Sequence, residues 1–242
     1  MVVRVDIELG AKDAYKAARR GDVIIVIDVL RATTSIITSL ANGAKSVTPV
    51  ATLKEATKLH DEHPDYVLVG EREDHKPEGF DLGNSPTTLT KERLHEKNII
   101  LTTTNGTKAL IKSKESRWVA VGAFLNAQAV AGKTVEISSR NRTGISFVLA
   151  GEKNRFSMED FLCAGAITER FPENAVELSD KTMAAFLAFK GAKHSLLESI
   201  QNSKHGQDLT KIGFSKDVEF SCQLDIYGIV PFYRNGKVEA AP

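Results

Sequence analysis

Short apolar runs alternate with segments whose apolar residues recur at helical spacing, and this alternation constrains the fold more than any other feature of the sequence. Seven runs before residue 155 have strand character: VVRVDIEL, DVIIVIDVL, KSVTPV, YVLVGE, NIILTTT, RWVAVGA and GISFVLAG. Helical segments such as TSIITSLANG and TLKEATKLHDEH separate them. Continuous apolar strands with intervening helices predict a mostly parallel sheet covered on both faces, which is a three-layer α/β/α fold.

After about residue 155 the sequence becomes helix-rich and predicts a smaller helical C-terminal lobe. The segments FSMEDFLCAGAITERF, DKTMAAFLAFKG, AKHSLLESIQNS and HGQDLTKIG follow one another there. Near the end, Asn235 and Gly236 separate two short strand-like runs and predict a tight hairpin turn. The 242 residues fit one domain, or two closely packed subdomains of about residues 1–155 and 156–242.

Composition argues against several classes of function. The net charge of +1, with acids and bases interspersed, gives no basic stripe for nucleic acid. The apolar runs are too short to span a membrane, and the first residues lack a secretory signal, which predicts a cytoplasmic protein. Cys163 and Cys222 have neither zinc-ligand spacing nor a disulfide pattern. The sequence leaves open whether copies of the chain form a homo-oligomer.

Polar side chains follow three of the predicted strands, each at the expected start of a helix. The three segments are residues 28–35, 102–107 and 150–160. Free N–H groups and the helix dipole favour anions at such positions, so three of them suit a ligand with several anionic groups. The candidate binding residues are Thr33, Thr34, Ser35, Asn105, Gly106, Thr107, Arg155 and Ser157.

Each of these segments also has a purely structural interpretation. The hydroxyls at 33–35 would suit the N-cap of the following helix. Ser157, with Asp160 three positions later, fits a capping box that needs no ligand. Gly106 would suit a turn that requires a positive φ. Capping and anion binding are compatible, so both interpretations stay open.

Carboxylates end the apolar strands. Asp28, Glu71 and Glu152 each follow a strand, and we expect them to project into one region from neighbouring strand ends. Clustered carboxylates repel unless a cation or protons neutralise them, and hard oxygen ligands beside bound phosphate suit Mg²⁺. The alternative is a set of structural ion pairs with Arg31, Arg72 or Arg155.

A polar connection of about seventeen residues, GEREDHKPEGFDLGNSP at 70–86, interrupts the alternation. Phe80 and Leu82 would anchor it, so we expect a packed functional loop. Asp81 in this loop is a candidate base or metal ligand, and Asn84 and Ser85 are candidate donors to a substrate. Of the six histidines, only His205 stays a functional candidate.

These motifs together resemble the 2-phosphosulfolactate phosphatase (ComB) family. The resemblance rests on VIDVLRATTSI, on GERE followed by GFDLGNSP, on TTTNGT, on AGEKNRFSMEDFLCAGAI and on HGQDLTKIGFSKDVEFSCQLDIYGIVP. It implies a three-layer α/β fold and a Mg²⁺-dependent phosphatase that converts 2-phospho-3-sulfolactate to 3-sulfolactate and phosphate, a step of coenzyme M biosynthesis. Such a substrate is a small polyanionic phosphate ester, in agreement with three anion-binding segments.

Two mechanisms can be built from these residues. In the first, Asp28, Glu71 and Asp160 hold Mg²⁺, Arg31 and the hydroxyls orient the phosphoryl group, and a carboxylate-positioned water attacks in line. In the second, Asp28 attacks and forms an aspartyl-phosphate. Aspartate-nucleophile phosphatases of the haloacid dehalogenase type usually carry a second Asp two positions on, where this chain has Leu30, so attack by water is favoured.

Two other functions remain open from the sequence. One is hydrolysis of another small phosphorylated hydroxy acid by the same chemistry, since a shared fold does not fix the substrate. The other is a non-catalytic protein that binds polyanionic metabolites.

Overall fold

The computed structural model describes residues 2–151, 155–172 and 174–240, which form ten strands and eleven α-helices. The strands are β1 (Val3–Glu8), β2 (Val23–Ile27), β3 (Ser46–Val50), β4 (Val67–Gly70), β5 (Asn98–Thr102), β6 (Val119–Gly122), β7 (Ile145–Leu149), β8 (Val176–Leu178), β9 (Pro231–Arg234) and β10 (Lys237–Ala240). The helices are α1 (Ala14–Arg19), α2 (Ala32–Ala41), α3 (Leu53–Glu62), α4 (Lys91–Leu94), α5 (Gly106–Lys112), α6 (Ala127–Asn141), α7 (Met158–Glu169), α8 (Asp180–Ala192), α9 (Leu196–Gln201), α10 (Lys204–Lys211) and α11 (Ser215–Ser221). All seven predicted strand runs contain a strand.

The strands form one sheet in the order β4-β5-β3-β10-β9-β6-β2-β7-β1-β8. Eight of them make two parallel blocks, β4-β5-β3 and β6-β2-β7-β1-β8. The hairpin β9–β10 lies between the blocks and pairs antiparallel with each of them. Its turn residues have positive φ, 52° at Asn235 and 81° at Gly236, as the predicted tight turn requires. The mostly parallel sheet is confirmed, and the C-terminal hairpin completes its centre.

Helices cover both faces of the sheet, which confirms the three-layer α/β/α prediction. The side chains of β2 show why: Ile24 and Val26 belong to the core cluster that contains α2 and α5, whereas Ile25 and Ile27 belong to the cluster that contains α6, α7 and α8. Alternate strand residues point to opposite faces, so a strand buried on both sides is apolar throughout. The predicted helix-rich C-terminal region is present as α7 to α11, and its first two helices, α7 and α8, pack on the sheet.

Both parallel blocks contribute to the core around α2 and α5. The carboxyl ends of β2 and β5 therefore approach each other, although four strands lie between them in the sheet. The expectation of neighbouring strand ends is wrong in this respect, because β2 and β4 lie in different blocks. The single-domain prediction stays a prediction.

The predicted loop at 70–86 packs along β4. The backbone N–H groups of Asp81 and Leu82 donate to the Leu68 carbonyl, and Gly70 N donates to the Leu82 carbonyl. Phe80 is buried against the β4 and β5 core, as expected. Within the described part of the chain, none of the helices is long and apolar enough to cross a membrane.

Candidate active site

Three chain segments and one helix converge on a cleft, which we call the acidic cleft. The β2–α2 turn, the loop after β4, the β5–α5 turn and α10 line it. The lining residues are Asp28, Leu30, Arg31, Ala32, Glu71, Glu73, Asp74, Asn84, Thr103, Thr104, Asn105 and His205. Two of the three predicted anion-binding segments, residues 28–35 and 102–107, therefore meet here.

Asp28 lies at the end of β2, where the chain turns into α2. Its side chain is buried, and its Oδ1 atom accepts a hydrogen bond from the backbone N–H of Ala32 (3.2 Å). Thr33 closes the turn, because its Oγ1 atom accepts from the Asp28 N–H (3.0 Å) and donates to the Asp28 carbonyl (2.8 Å). The turn therefore fixes the Asp28 carboxylate against the first residue of α2.

The predicted hydroxyl cluster at 33–35 lies inside α2 and does not cap it. The N-cap residue of α2 is Arg31, whose own side chain makes no capping hydrogen bond, and the Asp28 carboxylate accepts from the first N–H of the helix instead. Thr34 Oγ1 donates to the carbonyl of Val29 (2.8 Å), and Ser35 Oγ donates to the carbonyl of Asn84 (2.5 Å). The capping interpretation is wrong, and all three hydroxyls bond to backbone carbonyls rather than line the acidic cleft.

Arg31 is a buried cation at the edge of the acidic cleft. Its Nη1 atom donates to Asp217 Oδ2 (2.9 Å), and its Nη2 atom donates to the Asp74 carbonyl (2.9 Å). Its guanidinium carbon lies 4.2 Å from the centre of the Phe214 ring, within cation–π range. Arg31 is thus held by groups from α11 and from the loop after β4.

Glu71 joins the end of β4 to the β5–α5 turn. Its Oε1 atom accepts from Thr104 N (2.6 Å), and its Oε2 atom accepts from Thr104 Oγ1 (3.1 Å) and Asp74 N (3.2 Å). Arg72 donates to the Glu71 backbone carbonyl (2.6 Å), so the Arg72 ion pair considered from the sequence is not what binds this residue. Asn105, the N-cap of α5, lines the acidic cleft as predicted.

Gly106 permits α5 to approach β2. A Cβ atom there would lie 2.4 Å from the Ala32 Cβ and 2.6 Å from Asp28 Oδ2, both far inside van der Waals contact. Gly106 is not among the residues with positive φ, so the predicted turn requirement is wrong and close packing is the reason for glycine. Thr107 Oγ1 donates to the Thr103 carbonyl (3.1 Å) and therefore stabilises the β5–α5 turn.

Asn84 places a buried amide in the acidic cleft. The residue is 3% exposed, and its Oδ1 atom has no hydrogen-bond partner within the described parts of the chain. Ser85 faces away and donates to Asp217 Oδ1 (2.6 Å). Asp81 is exposed, lies outside the cleft, and accepts from Leu68 N (2.7 Å) through Oδ2. Of these three candidates, only Asn84 is placed to meet a ligand in the cleft.

Asp160 lies close to Asp28 but does not line the acidic cleft. Its Oδ1 atom accepts from Val29 N (2.8 Å), and its Oδ2 atom accepts from Gly151 N (3.2 Å). Ser157 caps α7, because its Oγ atom accepts from Asp160 N (3.3 Å), but the predicted capping box is wrong, since the Asp160 carboxylate bonds to Val29 and Gly151 and not to the Ser157 N–H. Both carboxylate oxygens of Asp160 therefore bind the loops that follow β2 and β7.

The third predicted anion-binding segment does not reach the acidic cleft within the residues described. Ser157 lines a second cavity, which shares His205 with the acidic cleft. Arg155 is exposed and lines neither cavity. Glu152 lies outside the described residues.

Burial controls the charge of the acids at this site. Burial raises the pKa of Asp28 to about 7, although the Ala32 N–H and the charge on His205 act to lower it. Burial also raises the pKa of Asp160 well above its usual value, and the neighbouring Asp28 carboxylate adds to that shift. The charged forms of both acids would gain from a cation nearby.

The structure adds residues that the sequence reasoning missed. Asp217 holds Arg31, while Thr104 and Asp74 bond to Glu71. The signal for Asp217 was an acid set between apolar residues in GFSKDVEFS, where a helix would bury it. Glu159 accepts from His205 Nδ1 (2.8 Å) and was hidden because acids are ordinary at a helix start.

The acidic cleft offers oxygen donors to a metal ion, but the described side chains do not form a complete coordination shell. Asp28, Glu71 and Asn84 supply carboxylate and amide oxygens to the acidic cleft. Among the described residues, no group of three or more His, Cys, Asp or Glu side chains is arranged to hold a metal ion. The predicted trio with Asp160 is not assembled, because Asp160 binds backbone N–H groups instead.

Comparison with known proteins identifies the family. The family model described as 2-phosphosulpholactate phosphatase matches residues 11–236. A probable 2-phosphosulfolactate phosphatase of Clostridium beijerinckii is 36% identical over 242 residues, which cover 98% of this chain and 99% of the relative. One from Thermotoga petrophila is 43% identical over 212 residues, which cover 88% and 89%.

These matches make the chain an enzyme of the phosphoric monoester hydrolase class. It belongs to the 2-phosphosulpholactate phosphatase family, as the sequence motifs predicted.

Proposed function

We propose that this chain hydrolyses 2-phospho-3-sulfolactate to 3-sulfolactate and inorganic phosphate in a Mg²⁺-dependent reaction. The names of its relatives support the substrate. The observation that carries the chemistry is the convergence of Asp28, Glu71, Arg31 and Asn84 on one cleft. The product 3-sulfolactate would then serve coenzyme M biosynthesis.

The donors in the acidic cleft fit Mg²⁺. This ion is usually bound by one or two carboxylates, by waters and by the substrate's own oxygens, so a complete protein cage is not required. Asp28 and Glu71 are the strand-end carboxylates that line the cleft, and Asn84 adds a buried amide oxygen without a hydrogen-bond partner among the described residues. When bound there, Mg²⁺ would offset negative charge on the phosphoryl oxygens.

The chain itself would orient the ester. The N-terminal end of α2 borders the acidic cleft at Ala32; the Asp28 carboxylate accepts from the Ala32 N–H, and the helix dipole would favour a further anion beside it. Arg31 adds a fixed positive charge beside it, and Asn105 adds an amide on the opposite turn. Leu30 lines the cleft where an aspartate-nucleophile phosphatase would carry its second acid, which supports attack by a water that a carboxylate positions.

The test is phosphate release from 2-phospho-3-sulfolactate, with Mg²⁺ or with excess chelator, beside 2-phospholactate. We expect turnover that requires the metal and prefers the sulfonated ester. Equal turnover of both esters would refute the substrate and leave a phosphatase for other phosphorylated hydroxy acids. Binding of the sulfonated ester without phosphate release would refute the hydrolytic function and favour a metabolite-binding protein.

A further inference from the structure

His205 joins α10 to the acidic cleft and meets a carboxylate at each ring nitrogen. Its Nδ1 atom donates to Glu159 Oε1 (2.8 Å), and its Nε2 atom lies 3.7 Å from Asp74 Oδ1. The side chain is 14% exposed, while that of Glu159 is 2% exposed. Glu159 therefore fixes the ring from the buried side, and Nε2 is the nitrogen nearer Asp74, which lines the cleft together with His205.

The 3.7 Å between Nε2 and Asp74 Oδ1 is longer than a normal hydrogen bond, so a substrate oxygen closer to Nε2 could accept its proton in place of Asp74. A ring held at one nitrogen by a buried carboxylate, with the other nitrogen facing a reaction site, has the geometry of a general acid or base. An ion pair that served only to join α10 to α7 would not require His205 to line the cleft as well.

Charged groups on every side decide the protonation state of His205. Glu159 faces it from α7, Asp74 from the loop after β4 and Asp28 from the end of β2. On its own helix, Asp208 pairs with Lys204 (2.7 Å). Across the cleft, Arg31 lies 3.6 Å from Asp74.

Among the described residues, the acids around this ring outnumber the cations. Burial acts to lower the pKa of His205, but the Asp74 and Glu159 carboxylates outweigh it and raise the pKa to about 10. The imidazole is therefore protonated at neutral pH and enters the reaction as an acid.

We propose that His205 is the general acid that protonates the leaving alcohol, and that Glu159 is its positioning residue. The inference rests on the proposed function. As the water oxygen bonds to phosphorus, the ester P–O bond breaks, and its electron pair leaves with the ester oxygen. That oxygen takes the Nε2 proton and becomes the hydroxyl of 3-sulfolactate. One proton of the water stays on the phosphate, and the other restores the imidazolium.

A poor leaving group needs this proton, and a good one does not. The first test therefore compares His205→Gln with wild type on 2-phospho-3-sulfolactate, an alkyl ester, and on 4-nitrophenyl phosphate, whose phenolate leaves unprotonated. We expect kcat on the alkyl ester to fall by about 10²–10⁴-fold and kcat on the aryl ester to fall by less than about tenfold. His194→Gln, at an exposed histidine outside the cleft, is the matched control and should resemble wild type.

Equal losses on the two esters, or no loss on either, would overturn the general-acid role. A wild-type protein that hydrolyses neither ester would overturn the proposed function and this inference with it. If the wild type is active but His205→Gln reduces kcat by the same factor on both esters, this inference alone would be overturned.

A pH profile gives a second readout that does not depend on the aryl ester. The kcat of wild type should decline at alkaline pH as His205 loses its proton, and the decline should be absent in His205→Gln. Glu159→Gln removes one of the two facing carboxylates, so the decline should move to lower pH. Identical profiles for the wild type and Glu159→Gln, with native thermal unfolding in both, would overturn the assignment.

Discussion

Gly106→Ala offers a direct test of how the acidic cleft is assembled. The new methyl group would lie 2.4 Å from the Ala32 Cβ and 2.6 Å from Asp28 Oδ2. Carbon atoms pack best at about 3.5–4.0 Å, so α5 and the β2–α2 turn would have to separate by about 1 Å. Overpacking of this kind costs about 1–3 kcal/mol of the free energy of unfolding. A chain of this size loses about 2–4 °C in Tm for each kcal/mol, which gives a fall of about 2–12 °C.

The same shift moves the Asp28 carboxylate relative to Thr104 and Asn105 on the opposite turn. A misplacement of about 1 Å at a reacting group can reduce turnover by about 100-fold. The assay is thermal unfolding together with phosphate release from 2-phospho-3-sulfolactate. Gly132→Ala is the matched control, because nothing lies within 4 Å of its new methyl group and the site is within α6. That change should raise stability by about 0.4–1 kcal/mol. Wild-type Tm and turnover in Gly106→Ala would refute the packing account.

Three further measurements test the surroundings of the cleft and the buried thiols. Asp217→Asn removes the buried carboxylate of the two that Arg31 faces and leaves the more exposed Asp74, so urea unfolding should report a loss of up to about 3–5 kcal/mol. Because the pKa of His205 is raised from 6.5 to about 10, its contribution to stability is complete below 6.5 and is lost as pH rises through 10. The unfolding free energy of the wild type should therefore approach that of His205→Gln over this range. Burial raises the pKa of Cys163 and raises that of Cys222 to about 12, so a thiol reagent at neutral pH should label neither before unfolding.

The strands were predictable from the sequence because each is buried on both faces. A run such as VIIVI has no polar position to confuse with another pattern, and its five residues are all buried in β2. The hairpin at Asn235 and Gly236 was predictable from its turn residues. Its place between β6 and β3 was not, because a pair of short strands carries no signal for which sheet edges it will join.

The acidic cleft was predictable in part, for a similar reason. Asp28, Glu71 and Asn105 interrupt or follow apolar strands, and strand ends are where such sheets place ligands. The hydroxyls at 33–35 were predicted to bind an anion or to cap α2, and they do neither, because composition alone does not reveal where a helix begins. Asp160 shows the opposite limit, since a carboxylate that binds two backbone N–H groups looks in sequence like one that binds a ligand.

The most direct test of the central claim is phosphate release from 2-phospho-3-sulfolactate by Asp28→Asn in the presence of Mg²⁺. Asp28 belongs to both mechanisms, as a metal ligand or as the nucleophile, so turnover should fall by at least about 100-fold. Asp61→Asn, at an exposed acid on α3, should keep wild-type turnover. Full turnover by Asp28→Asn would contradict both mechanisms and the assignment of the acidic cleft as the active site.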